Sequence, residues 1–324
     1  RWVPPWYFFR LTFAAPERPM NSVLYLATVL IWGTTWIAIY FQLDEAPVTV
    51  SIFYRFALAG GLLWLLLKLF GRLKRTSKRD QLFMLLQGCC LFSLNFICFY
   101  LATGYIASGL VSVVFSLATL YNAVNARWIF SETISAKVAW AGSVGLLGLA
   151  LLFWPELQAT QWSVDTIKGL GLAALGTYLF SLGNMIARRH GDQGVDLVTA
   201  NAYGMLYGAA IMLMILISLG HGLVWPDEPV YWLSLGYLSV VGSIIGFSAY
   251  LLLVVRIGAG SAAYATVMFP VVALSISYFV EGYQWSAISV VGLVFTLVGN
   301  LILFSPALTP GNLMKLLGNR RQSF

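Results

Sequence analysis

Ten long apolar segments constrain the fold of this chain more than any other feature of its sequence. Each is long enough, or nearly so, to cross a hydrocarbon layer of about 30 Å as a helix. Inside such a layer a helix satisfies its own backbone hydrogen bonds, which favours helices for uniformly apolar sequence. The sequence therefore predicts an all-α polytopic membrane protein with ten transmembrane helices. The segments, numbered 1 to 10, are residues 22–41, 49–69, 82–102, 106–126, 138–153, 169–187, 197–219, 231–255, 262–280 and 286–304.

The composition agrees with a membrane protein and excludes a large soluble domain. Of the 324 residues, 60% are hydrophobic and 10% are charged, whereas a soluble domain carries about 25% charged residues. The net charge of +7 would by itself fit nucleic-acid binding, but the basic residues stand at the ends of the apolar segments. We therefore expect a lipid bilayer and a small-molecule solute as partners, and no nucleic acid.

Positive charge alternates between successive connections. Nearly all of the 19 Lys and Arg residues lie in the two tails and in every second connection, most densely at residues 68–79. The other connections hold Lys168 and acidic residues such as Asp44 and Glu45. Cytoplasmic connections are enriched in Lys and Arg. The pattern predicts a multi-pass plasma-membrane protein of the bacterial inner-membrane type, with both termini in the cytoplasm.

The two halves of the chain repeat each other. Residues 115–132 align with residues 264–281, which places Glu132 opposite Glu281. Each half holds five segments, an odd number, so the second half must cross the membrane in the opposite orientation. Inverted repeats are a common plan of secondary transporters. We expect one five-helix repeat at 20–154, a second at 155–306 and a cytoplasmic tail at 307–324.

Residues 1–19 stand apart from this plan. The first methionine is Met20, directly before segment 1, and several prolines interrupt the residues that precede it. We interpret 1–19 as an amino-terminal extension that is not part of the native protein. The alternative is an interfacial amphipathic segment, because aromatic residues are frequent there.

Several loose motifs occur in a consistent order. Residues 31–36 read IWGTTW, Pro47 precedes segment 2, and an Arg55–Phe56 pair follows within that segment. Segments 4 and 9 each close on a glutamate, and a glycine-rich segment follows each of them. In this combination the chain resembles the drug/metabolite transporter superfamily, in particular its ten-helix EamA type.

The resemblance implies export of small organic metabolites, often amino acids or their analogues, by alternating access. It also implies a cavity lined by helices 1–4 and 6–9, with helices 5 and 10 at the periphery. One departure concerns the proline that such proteins often carry in helix 4 as well as in helix 9. Here Tyr121 stands opposite Pro270, so a proline hinge is not carried over to Tyr121.

Arg55 is the strongest single candidate for a functional residue. It lies about seven residues inside segment 2, where a charged side chain costs at least about 2.5 kcal/mol on insertion scales. The functional interpretation is a site for an anion, such as a substrate carboxylate. The alternatives are snorkelling to the interface or pairing with Asp44 or Glu45.

Glu132 and Glu281 are candidate structural or gating residues, together with Pro270. A carboxylate is favoured at the amino-terminal end of a helix, so we expect the two glutamates to pair with the starts of helices 5 and 10. The alternative is proton coupling, although both stand at helix ends and no Asp or Glu falls in the middle of a segment.

Polar and aromatic residues at depth complete the set of candidates. A pocket with aromatic walls and a few amides and hydroxyls suits zwitterionic or amphipathic solutes. The alternative for each residue is helix packing or an interfacial aromatic belt. The candidate substrate-binding residues are Trp32, Thr35, Trp36, Arg55, Asn95, Tyr100, Tyr121, Asn125, Tyr178, Asn184, Tyr203, Tyr207, Tyr250 and Tyr264.

The sequence thus favours a secondary transporter over a membrane-embedded enzyme acting on a lipid, which would need His, Asp or Glu clustered at depth for metal or acid–base chemistry. No phosphate-binding glycine loop of the GxxxxGK[ST] type is visible, and no cofactor or metal site is expected. Five plus five helices suffice for a monomer, and the oligomeric state stays open. The alternatives are an uncoupled facilitator or channel, or a drug or nucleotide-sugar-type transporter of the same superfamily.

Overall fold

Every regular element in the computed structural model is helical, over residues 17–134, 136–159, 163–250 and 264–304, which are the residues that the structure describes. Within them, eight helices are long and apolar enough to cross a membrane, and two more have 17 and 18 residues. The helices are α1 (Glu17–Tyr40), α2 (Val48–Leu69), α3 (Lys78–Thr103), α4 (Ser108–Phe130), α5 (Ala136–Ala159), α6 (Val164–Asp192), α7 (Leu197–Ser218), α8 (Pro229–Tyr250), α9 (Tyr264–Val280) and α10 (Ala287–Phe304).

Two helices begin at earlier residues than hydropathy predicts, because side chains cap their first turns. α3 begins at Lys78 because the Ser77 hydroxyl accepts a hydrogen bond from the Asp80 amide at 3.1 Å, in a reciprocal capping box. α6 begins at Val164 because the Ser163 hydroxyl accepts from the Thr166 amide at 3.2 Å. Such caps satisfy the first amides of a helix in polar sequence. The predicted starts at 82 and 169 are therefore too late.

The connections lie at two opposite ends of the bundle. One end, here called the basic face, carries connections 70–77, 131–134 and 193–196. The other end, here called the acidic face, carries connections 41–47, 104–107, 219–228 and 281–286.

Three of the described helices depart from regular α geometry. α3 contains a π-helical stretch at Cys90–Leu94, α8 contains one at Tyr237–Ile245, and α4 is divided into Ser108–Phe115 and Ala118–Phe130. Irregular backbone at membrane depth is tolerated where it is buried in protein or lines a cavity. These helices are therefore the place to look for a solute pathway.

The break in α4 forms without a proline. The amides of Ser116 and Leu117 donate to carbonyls three residues earlier, both at 3.0 Å, which is 3₁₀ geometry. α9, in contrast, runs through Pro270 without interruption. The two halves thus differ between α4 and α9. The broken helix is α4, which lacks the proline, and α9, which contains Pro270, is continuous.

Helix packing follows the inverted repeat. α2 packs on α7, and α5 packs on α10. When the two halves are exchanged, the contact between α1 and α9 corresponds to that between α6 and α4. The contact between α1 and α8 likewise corresponds to that between α6 and α3. A local detail repeats as well. The Ser93 and Ser243 hydroxyls each donate to the carbonyl five residues earlier, at 3.0 and 2.9 Å. The two π-helical stretches are therefore equivalent positions of the two repeats.

Glycines bring α5 and α10 into backbone contact. A Cβ added at Gly148 would lie 2.7 Å from the Gly292 carbonyl oxygen, and one added at Gly299 would lie 2.7 Å from the Gly145 nitrogen. These separations are shorter than a normal contact, so the crossing requires small residues.

Replacing Gly148 with valine should lower the thermal unfolding midpoint in detergent, because the added methyl groups would push α5 away from α10. Overpacking of this kind costs about 1–3 kcal/mol. Gly171→Val in α6 is the matched control, since an added Cβ there meets no atom within 4 Å. Midpoints followed by tryptophan fluorescence should separate the two variants, and equal midpoints would contradict the close approach.

Candidate functional site

A cavity of about 60 Å³ lies inside the bundle beside Arg55. We call it the Arg55 compartment. Its wall is mostly aromatic, and Arg55 is its one charged residue among those that the structure describes. The lining residues are Trp32, Thr35, Trp36, Ile39, Arg55, Asn95, Phe96, Phe99, Phe115, Phe180, Gly242, Phe247 and Phe269.

Arg55 is enclosed by protein. The residue is 3% exposed, and its guanidinium carbon lies 4.4 Å from the centroid of the Phe96 ring and 5.2 Å from that of Phe56. Both contacts are of the cation–π type. Nε donates to the Ser243 hydroxyl at 3.4 Å, and Tyr100 faces the guanidinium. This burial rules out snorkelling of Arg55 to the interface.

No carboxylate neutralises Arg55 within the described part of the chain. Neither Asp44 nor Glu45 pairs with it. The ion pairs among the described residues are Lys168–Asp165, Arg188–Glu132, Arg188–Asp192 and Arg189–Asp80. Nη1 of Arg55 is buried without a hydrogen-bond partner. An uncompensated buried ion costs several kcal/mol. Arg55 therefore keeps a buried donor and a positive charge that no carboxylate of the described chain offsets.

Asn95 adds unpaired hydrogen-bonding groups to the same compartment. Its side chain is fully buried, and neither its Oδ1 nor its Nδ2 has a partner. The residue directly follows the π-helical stretch of α3. Leaving a buried donor or acceptor unsatisfied costs about 1–3 kcal/mol. A solute with both donors and acceptors would satisfy this amide.

Buried hydrogen bonds join the helices between this compartment and the acidic face. Tyr100 donates to Gln42 Oε1 at 2.6 Å, which links α3 to the connection that follows α1. The Ser51 and Tyr231 hydroxyls lie 3.0 Å apart and link α2 to α8. All four residues are buried, so these bonds hold this side of the bundle together.

Glu281 caps the start of α4. Its carboxylate accepts from the Ser108 amide at 2.9 Å and from the Ser108 hydroxyl at 2.6 Å, and it also accepts from the Ser277 hydroxyl. The Ser277 hydroxyl in turn accepts from the Gly109 amide at 2.8 Å. The predicted pairing with helix 10 is wrong for Glu281, because α9 packs antiparallel to α4 and its end meets the start of α4.

Glu132 makes a different contact at the basic face. Arg188 of α6 donates to its carboxylate at 2.6 Å, and this hydrogen bond lowers the pKa of the Glu132 carboxyl. Glu132 therefore stays ionised at neutral pH and loses this pair only as the pH falls through the lowered pKa. The predicted pairing of Glu132 with the start of helix 5 is replaced by this contact with α6.

A second cavity, of about 270 Å³, shares lining residues with the first and includes Ala187 in the last part of α6 and Leu197 at the start of α7, towards the basic face. We call it the vestibule. Its polar groups are neutral amides and hydroxyls, and no charged residue of the described chain lines it. Its lining residues are Trp32, Gln87, Leu91, Phe115, Ser116, Ala118, Thr119, Asn122, Phe180, Asn184, Ala187, Leu197, Asn201, Phe247 and Tyr250.

The two cavities collect half of the predicted site residues. The Arg55 compartment contains Trp32, Thr35, Trp36, Arg55 and Asn95, and the vestibule contains Trp32, Asn184 and Tyr250. Together they are lined by α1–α4 and α6–α9, and no described residue of α5 or α10 contributes. This is the arrangement that the resemblance implies.

The other predicted residues lie elsewhere in the described chain. Tyr100 stands behind Arg55, towards the acidic face. Tyr121 packs edge-on against Tyr178 with ring centroids 5.6 Å apart, and Asn125 donates to the Ser181 hydroxyl at 2.9 Å.

Tyr203 and Tyr207 stack on each other on α7, and the Tyr207 hydroxyl donates to Gln81 at 2.7 Å. These contacts are helix packing. Pro270 is buried inside α9. Tyr264 is the first residue of that helix, and its side chain is not among those that the structure describes.

The phenylalanines of the compartment are the residues that sequence reasoning missed. Six of them, from α3, α4, α6, α8 and α9, form most of its wall. Phe92, Phe96 and Phe99 recur at helical spacing in α3, which places them on one face. That spacing was a usable signal, but it is shared with ordinary core packing.

Apolar helices thus surround a cavity in which Arg55 is the one charged lining residue of the described chain. The EamA-like transporter family model matches residues 20–154 and 167–305. The chain therefore belongs to the EamA-like transporter family.

Named relatives agree with this assignment. The chain is 26% identical over 291 residues to the uncharacterized inner membrane transporter YedA of Escherichia coli K12, covering 86% of this chain and 90% of that one. It is 22% identical over 288 residues to the uncharacterized transporter YyaM of Bacillus subtilis, covering 86% and 92%.

A solved crystal structure shares the fold, with a TM-score of 0.61 at 16% identity over 88% of this chain and 97% of that one. The family match identifies a multi-pass membrane transporter, and the solved structure shows the fold alone.

Replacing Glu281 with alanine should destabilise the protein by about 1–3 kcal/mol, because buried donors of Ser108 and Ser277 would lose their acceptor. Glu228→Ala is the matched control, since that exposed glutamate at the start of α8 makes no side-chain cap. Thermal unfolding midpoints in detergent measure the difference. A midpoint for Glu281→Ala equal to that of the control would contradict the cap.

Proposed function

We propose that this protein exports small organic metabolites that carry a carboxylate, namely amino acids or related compounds, by alternating access between its two faces. The observation that carries the proposal is Arg55, a buried guanidinium without a carboxylate partner in a compartment that also holds the unpaired amide of Asn95. A carboxylate accepts two parallel hydrogen bonds from a guanidinium. Such a solute would neutralise the buried charge that the protein leaves open.

The walls of the compartment suit the rest of such a solute. Phe96, Phe99 and Trp36 present apolar rings beside Arg55, and Asn95 offers both a donor and an acceptor. Ligand sites typically combine apolar walls with a few placed polar groups. An amphipathic carboxylate fits this division better than a polyanion, because the compartment holds a single cation among the described residues.

The lining of the vestibule supports outward transport, because it includes Leu197 at the start of α7, towards the basic face. Hydrogen bonds such as Tyr100–Gln42 join α3 to the connection after α1, towards the acidic face. If the basic connections are cytoplasmic, the protein sits in the inner membrane with both termini inside. The arrangement is then loaded from the cytoplasm, as an exporter requires.

Arg55→Ala should abolish or strongly weaken counterflow of a labelled amino acid in proteoliposomes. Hydrogen bonds to charged groups contribute about 1.5–3 kcal/mol, so apparent affinity should fall about 10- to 100-fold. The apparent affinity of Arg55→Lys should lie between those of the wild type and Arg55→Ala, because lysine keeps the charge but loses the bidentate geometry.

Arg127→Ala is the control for that experiment, because Arg127 is exposed at the end of α4. Saturable counterflow in the wild type that survives Arg127→Ala and fails in Arg55→Ala supports a carrier with a carboxylate site. Flux without counterflow would instead indicate an uncoupled facilitator. No flux of any amino acid would overturn the proposed solute class.

A carboxylate introduced into the protein beside Arg55 should take the place that we propose for the solute carboxylate. Ser243 lies 3.4 Å from Arg55 Nε, so Ser243→Asp places an acid beside the guanidinium. We expect this variant to lose amino-acid counterflow while keeping its unfolding midpoint close to that of Ser243→Asn, the control of nearly equal size. Counterflow that persists in Ser243→Asp would show that Arg55 does not bind the solute anion.

A further inference from the structure

The two central cavities share four lining residues, and all four are aromatic. Trp32, Phe115, Phe180 and Phe247 line both the Arg55 compartment and the vestibule. We call these four residues the aromatic partition. On one side of it lies Arg55, the one charged lining residue that the structure describes, and on the other lie neutral amides such as Asn122 and Asn184. The partition therefore separates two chemically different spaces along one path.

The partition is built from two pairs of rings. Phe115 of α4 meets Phe180 of α6 edge-on, with centroids 4.7 Å apart. Trp32 of α1 meets Phe247 of α8 edge-on at 5.1 Å. Edge-on contacts of this kind contribute about 0.5–1.5 kcal/mol beyond burial. They are strong enough to hold a closed arrangement and weak enough to open.

Backbone irregularities adjoin both pairs. Phe115 is the last residue before the break in α4, and Phe247 stands two residues after the π-helical stretch of α8. Trp32 is anchored to that stretch, because its indole N–H donates to the Gly242 carbonyl at 3.1 Å. A change in either irregular turn would move a ring directly. π-helical stretches often mark functional positions.

We infer that the aromatic partition is the inner gate of the transport path, and that the vestibule is an uncharged antechamber from which a solute passes the four rings to reach Arg55. The Phe115–Phe180 pair opens by motion at residues 116–117 of α4. The inference rests on the proposed function for the role of Arg55, but the gate itself can be tested without any substrate.

The test uses thiol modification in a background that lacks Cys89, Cys90 and Cys98. Asn184→Cys reports on the vestibule, and Thr35→Cys reports on the Arg55 compartment. A sulfonate-bearing methanethiosulfonate reagent is added from the basic face. With the gate intact, Asn184→Cys should react at least about 10-fold faster than Thr35→Cys.

Removing one ring should open the gate selectively. Phe180→Ala should raise the reaction rate of Thr35→Cys about 10-fold and leave that of Asn184→Cys unchanged. Phe279→Ala is the control, since Phe279 is 82% exposed on α9. If Phe180→Ala does not fold, Phe180→Leu and Phe115→Leu make the same comparison with smaller losses of volume.

Three results would overturn the gate: equal rates at the two cysteines in the parent protein, equal acceleration of both by Phe180→Ala, or no acceleration at Thr35→Cys. Failure of the gate is distinguishable from failure of the proposed function. Arg55 can still bind a carboxylate when the rings present no barrier, and the rings can form a barrier when counterflow is absent.

Discussion

A hydrocarbon layer offers no partner for backbone N–H and C=O groups, and the architecture of this protein follows from that constraint. Pro155 in α5 and Pro270 in α9 each lack an amide N–H, but those helices remain continuous. The π-helical stretches and the helix break fall in α3, α4 and α8, which all line the central cavities. α5 and α10 line neither cavity in the described part and instead pack glycine to glycine. Regular helices thus form the support, and irregular turns occur where a solute would pass.

The same constraint explains why Arg55 stands out. A charge at membrane depth is retained only with a partner or a function, and the described residues give Arg55 two aromatic rings and a serine but no carboxylate. The unpaired amide of Asn95 lies in the same compartment. A solute carboxylate, as we propose, would accept from Arg55 and from Asn95 Nδ2, and a donor on the solute would pair with Asn95 Oδ1.

Sequence reasoning predicts the helices of this fold well and the contacts between them poorly. Hydropathy and charge alternation indicate ten helices. Arg55 and Asn95 are predicted as buried polar residues from their positions within apolar segments alone. The partner of Glu281 does not, because it depends on the antiparallel packing of α9 against α4. Tyr121, Asn125 and Tyr178 resemble cavity residues by depth and chemistry, yet helix rotation places them in contacts with one another or with α6. The break at 116–117 has no proline to announce it, and the phenylalanines of the aromatic partition have the same spacing as core residues.

Equilibrium binding would show whether Arg55 binds the carboxylate of a transported solute, as we propose. Purified protein would be titrated with a panel of amino acids and with their carboxamides, which keep the side chain and the amine but lack the negative charge. Binding is followed by the rise in thermal unfolding midpoint that any native-state ligand produces. We expect that an amino acid raises the midpoint, that its carboxamide does not, and that Arg55→Gln removes the difference. Equal stabilisation by acid and amide in the wild type would contradict it.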